Sequence, residues 1–293
     1  MKCQNAFAGV FVPFCLLFLF VIFLLDPAET AKWTFDSFLF FLERVFPSLF
    51  LFACLSSVLV SSSCFRKIYE LPFGTECVLL LLGVFCGFPI GAKCAYELYV
   101  NGTISKKRAE YLLTFTNLAS VPFLTGVIGA KLHGTAFYGW RLVLLQAASA
   151  LLCALVFYLI MKPNCDGIRI LTSPKPVPLP QAIGSAMTTM LQVGGMLTFF
   201  GTVSKAVVVK LHLPALLSIF LRCLLEFSSG CADAAGLLSP QSELLTGFAV
   251  GFSGLCVAFQ VSAVTKNKLS MKPYFLSKLL QGIILAILFP LIG

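Results

Sequence analysis

Apolar residues along this chain fall into long runs separated by short polar loops, the pattern of helices that cross a bilayer. A crossing helix needs about 20 mostly apolar residues. Ala6–Leu25, Phe35–Val60, Phe137–Ile160, Ala182–Val209 and Tyr274–Ile292 meet that length. Tyr111–Ala130 and Leu244–Ala263 are weaker candidates, interrupted by Gly, Asn or Ser. Two further stretches are broken partway, Cys77–Tyr99 at Gly87-Phe88-Pro89-Ile90-Gly91 and Leu213–Ala235 at Ser228-Ser229-Gly230. Their pieces are no longer than about 15 residues, too short to cross alone, which predicts two re-entrant hairpins.

Composition sharpens this. The 293 residues are 59% apolar and 11% charged, where soluble domains carry about a quarter charged residues. That leaves too little polar surface for a soluble fold. The net charge of +9 does not indicate nucleic acid, because the basic residues stand singly between apolar runs. Their one dense cluster, Lys106-Lys107-Arg108, reads as a topology signal. Most of the 12 cysteines lie inside apolar runs, and C-x-x-C is absent. With two histidines there is no zinc or iron–sulfur spacing, so neither a metal nor any cofactor is expected. Lys2 followed by an apolar run resembles a signal peptide, but the run exceeds the usual length and reads as a retained first helix.

The positive-inside rule tests the hairpins. With a cytoplasmic N-terminus and both broken segments re-entering, 14 of the 21 basic residues fall on the cytoplasmic side. They are Lys2, Arg66, Lys67, Lys93, Lys106, Lys107, Arg108, Lys162, Arg169, Lys175, Lys266, Lys268, Lys272 and Lys278. A first segment that crossed fully would put the Lys-Lys-Arg cluster outside. The chain also reads as two similar halves, each running long helix, broken segment, Gly-rich helix, long helix. Leu71-Pro72 matches Leu213-Pro214, and Leu112-Leu113-Thr114 matches Leu244-Leu245-Thr246. The expected fold is therefore an all-α polytopic membrane protein of two inverted-topology repeats, each with a broken re-entrant helical hairpin. Within this single membrane domain, residues 1–34 form an N-terminal helix, 35–161 the first repeat, 162–180 a Pro-rich cytoplasmic linker and 181–293 the second repeat.

The breaks are where binding is expected. Gly87, Pro89 and Gly91 interrupt the helix, and a restart at Ala92 would leave free N–H groups suited to an anion. Ser228, Ser229 and Gly230 supply hydroxyls and a flexible turn. Lys93 and Glu97 follow the first break at i, i+4, and Arg222 and Glu226 precede the second. Charge inside such a span marks a functional site by default. Arg222 would grip a carboxylate through its planar fork, with Glu226 orienting it or taking up a coupling cation; the bland alternative is an internal ion pair. Asn117, Ser120, Ser253 and Gln260 are the remaining polar residues in apolar runs, serving helix packing or a ligand. Glu43 and Arg44 read as a structural pair, and His133 and His212 as helix-end residues.

An enzyme is not expected. Gly251-Phe252-Ser253-Gly254 fits the G-x-S-G of rhomboid-type proteases, but no histidine follows Ser253 to act as base. H-E-x-x-H is absent as well.

These residues resemble a known family. The stretch Gly83–Gly129, with Gly87-Phe88-Pro89-Ile90-Gly91-Ala92-Lys93, Glu97-Leu98, Gly102-Thr103-Ile104-Ser105 and Leu112–Asn117, resembles the YlbJ-type sporulation integral membrane proteins. The second half adds Leu225-Glu226, Gly230 and Gly251–Cys256 with Gln260. Such proteins belong with the nucleoside-recognition or Gate domains. The resemblance implies endospore formation, a multi-pass place in the cell membrane or outer forespore membrane, and delivery of dipicolinic acid from mother cell towards forespore. The expected partners are a small organic anion and the lipid bilayer, with a homo-oligomer or other sporulation membrane proteins left open. A non-transporting scaffold for spore-envelope assembly and a nucleoside-type carrier are the alternatives.

Overall fold

The computed structural model describes residues 2–62, 67–166 and 177–292. Arg66, Arg169 and Lys175, used above for topology, lie outside the described residues, as does most of the linker. Among the described residues there are helices and no strands. After α1 (Lys2–Leu25), α2 runs Pro27–Val60, with a π-wound turn at Phe41–Val45. Asp26 starts α2 by accepting from the Glu29 N–H at 3.3 Å, with Pro27 in the first position. The helix therefore begins well before Phe35 and runs through the expected boundary at 34/35. Glu43 and Arg44 do not pair there; Arg44 lies over the Phe40 ring.

The first broken segment is α3 (Gly74–Cys86) and α4 (Ile90–Val100). Next come α5 (Lys106–Leu112), a non-helical stretch at 117–120, and the π-wound α6 (Phe123–Leu132). Tyr111–Ala130 is thus not one helix: the chain leaves helical geometry after Leu112 and resumes it only beyond Ser120. Long α7 (Ala136–Met161) and α8 (Leu179–Leu211) follow. The second broken segment is α9 (Ala215–Leu225) and α10 (Phe227–Ala234). Then α11 (Gln241–Phe252) and α12 (Gly254–Val264) meet at Ser253, and α13 (Lys272–Leu291) completes the bundle. Among the described residues, five helical stretches have the length and apolar composition to cross a membrane: α2, α7, α8, α11 with α12, and α13.

Long-range bonds fix which elements share an end of the bundle. At the end where α3 begins, called proximal here, Arg108 of α5 grips Glu76 of α3 through two nitrogens, at 2.8 and 2.7 Å. Its third nitrogen donates to the Asp166 carbonyl beyond α7 at 2.9 Å. The start of α3 and the start of α5 therefore lie level, and α3–α4 goes in and returns. An α3 of 13 residues reaches only about 20 Å, short of a bilayer core of about 30 Å. Val177 N–H to Ser61 Oγ at 3.0 Å and Ser270 N–H to Glu110 at 2.8 Å belong to the same end.

At the opposite, distal end, Arg141 of α7 pairs with Glu243 of α11 at 3.6 Å and donates to the Phe289 carbonyl of α13 at 3.0 Å. Lys210 pairs with Asp26 at 3.1 Å and Lys205 with Asp36 at 3.5 Å, locking α8 antiparallel to α2. α9 leaves this end and α11 departs from it, so α9–α10 is also re-entrant. The two hairpins thus enter from opposite ends.

Bulky apolar side chains such as Leu51, Leu144, Leu155, Leu191 and Ile287 stay exposed on the outer faces, as a bilayer rather than water requires. Lys278, counted above among the basic residues of the cytoplasmic side, is 1% exposed inside the bundle and donates to Gln281 at 3.0 Å. Gln281 in turn donates to the Thr114 carbonyl at 3.0 Å.

Candidate functional site

The first hairpin turns on backbone geometry. Gly87 has φ +76°, the left-handed region that glycine enters without strain. A Cβ there would stand 2.9 Å from the Ser120 Cβ. The Phe88 N–H donates to the Leu118 carbonyl at 2.8 Å, which fastens the tip to the non-helical stretch. The helix restarts at Ile90, two residues before the expected Ala92, with Pro89 as its cap. Its end is not free for an anion: the Ala92 N–H donates to Asn117 Oδ1 at 3.0 Å and the Lys93 N–H to the Pro89 carbonyl at 3.0 Å. Gly91 lies so close to Thr116 that a Cβ would sit 2.2 Å from its carbonyl oxygen. From α7, Gln146 holds Ala119 in both directions, accepting from its N–H at 3.0 Å and donating to its carbonyl at 2.9 Å.

The second hairpin turns on a side chain. The break falls at Glu226, not at Ser228-Ser229-Gly230, which wind into the first turn of α10. Glu226 takes an extended conformation, and its carboxylate accepts from Ser228 N–H at 3.0 Å, Ser228 Oγ at 2.5 Å and Ser229 N–H at 2.7 Å. A carboxylate that satisfies the opening N–H groups of a helix caps it as Asp or Ser does elsewhere. The change of direction at Glu226 also separates it from Arg222. Instead of Glu226, Arg222 meets Asp233 on the returning arm at 2.6 Å. Gly230 lets the two arms touch, since a Cβ there would lie 2.7 Å from Cys223 Cα.

The tips meet. The rings of Phe88 and Phe227 stand 5.2 Å apart and nearly perpendicular, and Phe123 of α6 lies 5.5 Å from Phe227. Between them and α8 lies a cavity that Gly87, Ser120, Glu226, Ser228 and Gln260 reach, with Val45, Leu49, Val193, Leu197 and Val257 as its apolar wall. Its volume is about 20 Å³, room for about one water molecule. Five of the residues singled out in the sequence therefore converge from both halves of the chain.

The others lie elsewhere. Lys93 is half-buried and donates to Ser185 Oγ at 2.6 Å and Thr189 Oγ1 at 3.4 Å on α8. Glu97 is exposed towards the end of α4 and makes no ion pair with Lys93. Pro89, Gly91 and Asn117 build the first tip, while Ser229, Gly230 and Arg222 build the second. Ser253 adopts φ +68° between α11 and α12, and its buried hydroxyl donates to the Val250 carbonyl at 3.2 Å. His133 stacks on Tyr138 instead of approaching it. Among the described residues, no three of His, Cys, Asp and Glu converge on a point.

Sequence reasoning missed the Phe88–Phe227–Phe123 contact, Gln146 and the Arg108–Glu76 pair. Phe is too frequent here, at 30 residues, for three of them to stand out. Gln146 and Glu76 were legible as polar residues in apolar company. Arg108 was masked by its two lysine neighbours.

Comparison with known proteins gives a relative that aligns over most of the chain. The sporulation integral membrane protein YlbJ of Bacillus subtilis (strain 168) is 25% identical over 302 aligned residues, covering 84% of this chain and 73% of that protein. The chain is similar to YlbJ over most of its length. The resemblance read from the residues of both halves is thereby supported, and the apolar helices of this chain are those of a multi-pass membrane protein. No family model matches it. No solved structure matches it either.

Proposed function

We propose that this YlbJ-like chain is a carrier for a small organic anion, with dipicolinate as the candidate substrate, moved from mother cell towards forespore. One observation carries the reading: two re-entrant tips arriving from opposite ends of the bundle close over a single cavity, Phe88 against Phe227. In the proposed mechanism the halves are inverted repeats of the Gate type, and relative motion of one half opens the cavity to each side in turn. The small cavity is then the occluded form. Of the two cations singled out at the hairpins, Lys93 is the one available to meet a carboxylate, since hydroxyls hold it, whereas Arg222 is committed to Asp233. No covalent chemistry is assigned to the site.

Orientation is read from where basic residues stand unpaired. Lys67, Lys107, Lys162, Lys266, Lys268 and Lys272 are exposed at the proximal end. At the distal end Arg141, Lys205 and Lys210 each sit in an ion pair, and Lys32 and Lys131 stand exposed there, two against six. The proximal end, and with it the N-terminus, is read as cytoplasmic, in the cell membrane or the outer forespore membrane.

A nucleoside is the second reading, favoured by the lining: one carboxylate, one amide and two serines between Phe rings suit a neutral, ring-bearing, hydroxylated solute. Uptake into liposomes by the purified chain separates the two. Saturable uptake of labelled dipicolinate that Lys93→Met abolishes, in a variant with unchanged melting temperature, supports the anion carrier. Uptake of labelled nucleoside alone selects the second reading. Uptake of neither by folded protein leaves a scaffold for spore-envelope assembly as the better account.

A further inference from the structure

The cavity carries an unbalanced charge. Glu226 is 1% exposed, and no cationic side chain lies within 4.0 Å of it among the described residues, Arg222 being turned to Asp233. Its partners are one hydroxyl and two backbone N–H groups, which leave a carboxylate lone pair unused. A buried carboxylate without a counter-charge is costly. Across the same cavity stands a second unmet group. Gln260 is 3% exposed, its Nε2 donates to Cys256 Sγ at 3.4 Å, and its Oε1 has no partner. The hydroxyls of Ser120 and Ser228 complete the polar lining.

We infer that Glu226, Gln260, Ser120 and Ser228 form a binding site for one monovalent cation of the size of Na⁺. Each donor is an oxygen, the set that selects a hard cation over a transition metal. One carboxylate balances one positive charge, whereas a divalent ion would leave the buried centre net positive. The cavity of about 20 Å³ accepts a particle of water size, so a hydrated ion must shed its shell onto these oxygens. In the carrier reading, on which this role rests, the cation is the coupling ion. An anionic substrate meets a bare carboxylate until the ion neutralises Glu226, so the ion binds first or together with the substrate.

Thermal unfolding of the purified chain in detergent tests the site without any substrate, comparing NaCl, KCl and choline chloride at one ionic strength. A midpoint higher by about 5 °C in saturating NaCl is expected, with little or no rise in KCl or choline. Gln260→Leu keeps the volume of the side chain, leaves the hairpin intact and should lose that rise; Glu226→Gln should lose it too. Equal midpoints in NaCl and choline, a rise given equally by K⁺, or a Na⁺ rise that persists in Gln260→Leu would each overturn the site. Dipicolinate uptake measured in parallel keeps the two ideas apart. A Na⁺ shift without uptake retains the site and removes the carrier reading. Uptake indifferent to Na⁺, with no shift, does the reverse.

Discussion

The two hairpin tips occupy matching places in their halves and are built on opposite principles. The first fastens itself to its neighbour. Gly83 and Gly91 both press on the backbone of Thr116, Gly87 presses on Ser120, and Asn117 and Leu118 bind the tip's N–H groups. The second fastens mainly to itself. Glu226 caps its own helix and Gly230 packs on Cys223 within the same hairpin, while the neighbouring helices meet it through Cys223 Sγ to the Leu245 carbonyl at 3.8 Å, Phe220 against Phe248, and Gly254, where a Cβ would stand 3.2 Å from the Phe227 nitrogen. A tip whose small residues face an adjoining non-helical stretch cannot separate from it without leaving backbone groups unmet. A tip that carries its own cap can shift as a unit. The second hairpin thus draws its cap from within itself, whereas the first draws its cap from the frame beside it.

The hardest way to break the frame is at its proximal clamp. Arg108→Ala strips the partner from Glu76, where both side chains are under a tenth exposed, and should cost about 3–5 kcal/mol. Melting temperatures of Arg108→Ala, Glu76→Ala and the double variant would show it, with the double less than additive. Gly91→Ala drives a Cβ onto the Thr116 carbonyl and should cost about 1–3 kcal/mol, read as a lower midpoint with normal membrane insertion. Asn117→Ala removes the cap from Ala92 and should cost about 1 kcal/mol. Hydrogen exchange in that variant should rise at residues 90–93 and stay unchanged at 226–230. Equal exchange at both tips would dissolve the contrast.

The smallest effect lies outside the membrane-spanning segments. The hydrogen bond from Lys210 holds the Asp26 carboxyl below the usual carboxylate range, with help from the Glu29 N–H. A depressed folded-state value means stability that is present above the unfolded value of about 3.9 and is lost as the pH falls through the folded one. Asp26→Asn should therefore flatten the acid limb of the melting-temperature profile below about pH 4 and leave the profile near pH 7 almost unchanged.

The contrast also marks what a sequence discloses. The first break was legible at Gly87-Phe88-Pro89 because glycine and proline act on the backbone whatever surrounds them. The second was displaced to Ser228-Ser229-Gly230, because Glu226 ends a helix only through a side-chain geometry that no composition displays. The non-helical stretch at 117–120 contains neither glycine nor proline. Its shape is imposed from outside by Gln146 and by the first tip, so Tyr111–Ala130 read as a helix. Arg222 and Glu226 were rightly singled out as costly charges, but their i, i+4 spacing implied a pairing that exists only if the helix continues between them.

The bond from Gln281 to the Thr114 carbonyl has a consequence for how this chain is made. Its two ends are separated by 167 residues, so the ribosome delivers the acceptor long before the donor. Until α13 emerges, the kinked interior of the first half waits with an unmet carbonyl beside a gap that Lys278 and Gln281 will fill. Neither half can be finished alone, and a chain truncated before α13 would present the quality-control machinery with a half-built core rather than a smaller protein.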